Sequence, residues 1–120
     1  MADPLDSWDK ARDFALGLPG TVIGRAWRWE VVKVAANGRG FLFPGHESKT
    51  SFAVMIDRDA IAILLETDPE TFWQTPHYAG HEAVLVRYSS MDPERVREVI
   101  ERARDHVAAK APPRPRKKKA

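Results

Sequence analysis

The one metal-like spacing in the chain is H-x3-H, His77 and His81, with Glu82 and His46 as further candidate ligands. Two imidazoles one helical turn apart can share a metal, but Tyr78-Ala79-Gly80 between them disfavours a helix, and no cysteine is present to add a thiolate. A polar loop histidine closing a strand end fits the same residues without a metal. Gly45-His46-Glu47-Ser48-Lys49-Thr50 looks like the end of a phosphate-binding loop, yet Ser48 replaces its second glycine and Phe43 stands where the first belongs. That mechanism also needs a helix N-terminus next, and the residues that follow read as a strand. Gly38-Arg39-Gly40 is half a dinucleotide fingerprint inside a turn. The chain has no G-x-S-x-G, and Asp57/Asp59 and Glu98/Glu101 read as a helix cap and a solvated helix face rather than paired catalytic carboxylates. The residues therefore predict no catalytic centre, no cofactor and no metal.

Features suited to contact rather than catalysis are more prominent. Trp27, Trp29 and Lys33 share one face of an extended segment, because strand side chains alternate with period two. Aromatics interleaved with a cation on a sheet face can stack on nucleobases while the cation holds phosphate. The same spacing also fits indoles packed beneath helices with Lys33 alone reaching solvent. Arg25, Arg28, Lys33 and Arg39 cluster along what reads as one hairpin and could form a basic patch. Residues 110–120 hold Lys110, Arg114, Arg116, Lys117, Lys118 and Lys119 and no acid, a charge of +6, while residues 1–109 carry 13 bases against 17 acids, or −4. A −4 body repels a duplex on average, so DNA contact needs a local basic area or the tail. Contact through the tail would be weak and salt-sensitive.

These groups must be positioned by a single domain of residues 1–109, since 120 residues leave room for one core. Residues 7–16 predict a helix capped by Asp6 or Ser7 and stopped by Leu18-Pro19-Gly20. Residues 27–35, 40–43 and 52–56 predict strands, the first two joined by Asn37-Gly38, which suits a tight hairpin. A helix over about 60–66 follows, then a short one opened by Pro69 and a strand over 82–88. The last helix is the clearest: Asp92 caps, Pro93 opens, and Val96, Val99, Ile100, Ala103 and Val107 form one apolar stripe. The expected class is α+β, an antiparallel sheet flanked by N- and C-terminal helices. Residues 110–120, rich in Pro, Arg and Lys, read as a disordered tail. No apolar run is long enough to span a membrane, and Asp and Arg mixed through the first 25 residues argue against a signal peptide, so a cytoplasmic location is expected.

Several segments together resemble the MmcQ/YjbR family of small bacterial proteins. They are the first helix into Leu18-Pro19-Gly20, Trp29-Glu30-Val31-Val32-Lys33-Val34 with Arg39-Gly40-Phe41 after the turn, and Ile56-Asp57-Arg58-Asp59. Thr75-Pro76-His77-Tyr78, Ala83-Val84-Leu85-Val86-Arg87-Tyr88 and the closing helix complete the likeness, over roughly residues 7–109. The resemblance implies a CyaY-like α+β fold and DNA binding in a double-wing mode, with no catalytic residues. It points to Lys33, Arg39, His77 and Arg87 as polar positions to test. Glu82-Ala83 stands where the family has a tryptophan near the start of that strand. The other expectation is a small-ligand or protein-interaction pocket beside His77 and Tyr78.

Overall fold

The computed structural model describes residues 5–26, 29–45, 50–76, 78, 80–88 and 92–111. Helix α1 (Trp8–Leu16) starts at Ser7, whose hydroxyl accepts Lys10 N–H. A meander of β1 (Thr21–Ala26), β2 (Trp29–Val34), β3 (Gly40–Pro44) and β4 (Ser51–Met55) follows. Next come α2 (Arg58–Thr67), β5 (Phe72–Trp73), β6 (Ala83–Arg87) and α3 (Pro93–Ala108). The sheet order is β1-β2-β3-β4-β6-β5, with every neighbouring pair antiparallel. The fold is α+β, as the sequence predicts. Among the described residues, no helix is long and apolar enough to cross a membrane.

Two elements differ from the sequence reading. A strand, β1, precedes the expected first one, because Gly24 and Arg25 hide its character until β2 supplies a partner running from Ala26↔Trp29 to Thr21↔Val34. Pro69 opens a turn and not a helix. The amides of Thr71 and Phe72 both donate to the Asp68 carbonyl, and Phe72–Trp73 then pairs with β6. Only a few residues separate Pro69 from Pro76, too few to repay helix nucleation when a strand partner is at hand.

The register divides the sheet into two unlike faces. Val32, Leu42, Val54 and Val84 lie in one cross-strand row, and Phe52, Val86 and Phe72 in another. These residues form the main core with α1 and α3, joined by Ile61 and Leu64 of α2. One step along β2 from Val32 to Lys33 matches two steps on β3, from Leu42 to Gly40. This bulge inserts Phe41, which is fully buried with Leu42 in the same core. Val31, Ala53, Ala83 and Leu85 are buried too, yet they lie outside that core, on the opposite face.

Polar ties hold the helices to the sheet. Asn37, expected only as a turn residue, is buried and its Nδ2 donates to the carbonyls of Val107 (2.8 Å) and Lys110 (3.0 Å), closing the C-terminus of α3. Gly38 beside it has φ 70°. Asp57 caps α2 through Ala60 N–H and accepts two 2.8 Å bonds from Arg102 of α3. The Arg102 guanidinium, helped by the Ala60 amide and opposed by partial burial, holds the Asp57 carboxyl below its usual range. A depressed carboxyl contributes stability above its unfolded pKa and loses it as pH falls through the folded value. Asp57→Ala is therefore expected to cost about 1–2 kcal/mol near neutral pH. In urea titrations that deficit shrinks as the pH falls below about 4, near the unfolded carboxylate pKa.

Candidate functional site

The second face of the sheet carries the residues of interest. Phe43, Ala53, Leu85 and Trp73 form one row across β3, β4, β6 and β5. Ala53 and the buried Leu85 fill the middle, and the aromatics stand at its two ends. Lys33 and Arg87 are the basic strand residues on this face. The one acid in any described strand, Glu30, points the other way, where it accepts from Arg12 (2.9 Å) and Trp8 (3.2 Å) of α1. Those bonds, Arg12 first, hold the Glu30 carboxyl below its usual range. The mildly acidic average of the domain is thus absent from the strands of the second face.

Two glycines let long side chains lie flat on this surface. A Cβ at Gly24 would sit 2.8 Å from Lys33 Cε, so the lysine stem crosses β1 there. A Cβ at Gly40 would sit 2.6 Å from Phe43 Cζ, so the ring covers that backbone. Beyond the lysine stem and the ring opens a cavity of about 320 Å³, lined by Val31, Phe43 and Met55 and by three cations: Lys33, Arg39 and Lys110. Arg39 Nε donates to the Ala111 carbonyl at 2.6 Å, and Lys110 pairs with Glu82 at 2.9 Å. Glu82 also faces His106 Nε2 at 3.4 Å. Lys110, with His106 and Arg58 adding to it, holds the Glu82 carboxyl low. The Lys33 ammonium has no hydrogen-bond or ion-pair partner among the described residues. The Asn37 clamp fixes this geometry by bringing the end of α3, and Lys110 with it, over the β2–β3 turn.

No family model, curated protein or solved structure matches this chain.

Of the residues singled out from the sequence, Lys33 and Arg39 line the same cavity. Arg25 does not join them: it lies directly opposite Glu30, on the α1 side of the sheet, so the one-hairpin patch divides between two faces. Arg87 shares the face of Lys33 but sits three strands away at the other end of β3, roughly 20 Å off by strand geometry. Its guanidinium stacks 4.0 Å over Trp73 and donates to the Glu70 carbonyl. Trp29 is 55% exposed on the face away from the helices, so the indole is not packed beneath them. Arg28, Trp27, His77 and the tail residues Arg114, Arg116, Lys117, Lys118 and Lys119 lie outside the described residues. Tyr78 is half-buried, and a neighbouring cavity of about 230 Å³ between α2 and residues 74–81 is lined by Arg58, Gln74 and His81 but not by Tyr78. Sequence reading placed Lys110 in the tail and not beside Lys33 and Arg39, and it missed Phe43 and Met55 as site residues. The parity of Phe43 was legible, but not the turn that brings Lys110 across.

Proposed function

We propose that this chain is a non-enzymatic, cytoplasmic DNA-binding protein that holds the phosphate backbone at the Lys33–Arg39–Lys110 cluster. Basic residues beyond Ala111 extend the same contact. The observation that carries this reading is a single cavity lined by Lys33, Arg39 and Lys110, beside a sheet face whose strands hold no acid and at the point where the basic tail begins. Exposed Trp29 and the half-buried Phe43 offer apolar and stacking surface beside those charges. The resemblance to the MmcQ/YjbR family points the same way. A local positive area of this kind draws a polyanion even when the domain average is negative.

The test separates face from tail. Binding of a labelled duplex is followed against salt for the full chain and for a full-length variant with Arg114, Arg116, Lys117, Lys118 and Lys119 all changed to glutamine. Each phosphate neutralised contributes about 0.9 to the slope of log affinity on log salt, so the variant's slope is expected to be shallower by about 3–5. The variant still binds at low salt through the sheet face. Complete loss of its binding there would assign all DNA affinity to the tail and remove the sheet face from the account.

A further inference from the structure

The six-residue strand β1 is an edge of the sheet with no further strand paired to it among the described residues, and Arg25 is the one charge it carries. It has no proline, no lysine and no bulge, and its pairing with β2 is regular throughout. Ala35 N–H donates to the Gly20 carbonyl, which makes Gly20 and Ala35 a hydrogen-bonded pair. Alternation along an antiparallel ladder then turns the backbone groups of Thr21, Ile23 and Arg25 outward. None of these groups has a hydrogen-bond partner among the described residues. Among the described residues, the large apolar side chains that stand exposed are Val22 (44%), Ile23 (48%), Trp29 (55%) and Ile63, and the first three gather at this margin.

We propose that β1 pairs antiparallel with β1 of a second copy of this chain, about a two-fold axis through Ile23. The outward groups at Thr21, Ile23 and Arg25 fix that register. Ile23 meets Ile23 of the partner subunit, and Arg25 meets Thr21 of the partner subunit, so no like charges oppose each other. The strand is self-complementary in hydrogen bonding and in apolar surface, and the register holds its two Arg25 residues apart, which selects a second copy as its occupant. The other edge strand, β5, has two residues and offers no comparable ladder. A two-fold perpendicular to the sheet leaves both second faces on the same side. Three strand spacings and a two-residue offset then put the two Lys33 residues about 16 Å apart. This inference goes beyond DNA binding and does not rest on it.

Sedimentation equilibrium of the full chain, without DNA, tests it. A reversible dimer is expected in the micromolar range, as suits a small interface. Ile23→Lys and Ile23→Glu are each expected to be monomeric, because like charges then face each other. An equimolar mixture of the two restores a heterodimer. Ile23→Cys supplies a second readout should either charged variant unfold. The chain has no other cysteine, and facing hydrogen-bonded residues lie about 5.5 Å apart, within disulfide range, so air oxidation links two copies. A wild-type monomer throughout the range, charged variants that stay dimeric, or a mixture that stays monomeric would each overturn the proposal.

Discussion

Replacing Phe41 with alanine is expected to remove about 3–5 kcal/mol of stability, while Phe43→Ala, two positions on, costs about 1 kcal/mol. Strict strand alternation would put these rings on one face and make the losses alike. The bulge opposite Val32 and Lys33 separates them. Phe41 enters the core with Leu42, fully buried, and its loss leaves a cavity among side chains that α3 holds in place. Phe43 lies half-buried over Gly40 on the other face, where solvent and neighbouring side chains fill the gap. A domain of this size has about 5–15 kcal/mol in all, so Phe41→Ala leaves it marginal. Urea denaturation of both variants measures the difference. Equal losses would mean that the two rings share a face and that Phe43 does not line the cavity.

The second large effect concerns binding. Lys33→Glu combined with Arg39→Glu is expected to weaken duplex binding at low salt about a hundredfold and to lower the salt slope by about 3–4, since both cations are removed and two repulsive charges replace them. Lys110 remains but is already paired with Glu82. Arg25→Glu serves as the contrast: that side chain stands on the α1 side opposite Glu30, and its reversal shifts affinity by less than about threefold. The same labelled-duplex salt titration reads all three proteins. Comparable losses for Arg25→Glu and the double variant would mean a diffuse charge effect rather than a built site.

Much of the scaffold is legible in the residues alone. The stripe of α3, the caps at Ser7, Asp57 and Asp92, and the central strand around Phe52 all follow from local rules. β1 was hidden because a strand with glycine at its centre and exposed residues on both faces lacks the alternation that marks a half-buried strand. β5 was hidden because two residues between a proline turn and Pro76 carry no periodicity at all. The site divides in the same way. Lys33 was legible by parity and Arg39 by its place after the turn. Their separation from Arg25 depends on whether the chain makes one hairpin or a longer meander. Lys110 enters through contacts some seventy residues apart in sequence, Asn37 with Val107 and Lys110, which no local pattern announces.

The most direct measurement is a map of backbone amide shifts of the full chain as a short duplex is added. The account predicts that Val31, Lys33, Gly40, Phe43 and Lys110 move together and saturate at one midpoint, while Arg25, Arg97 and Arg102 on the helical side stay still. Shifts centred on the outer surface of α3, or confined to residues after Ala111, would contradict it.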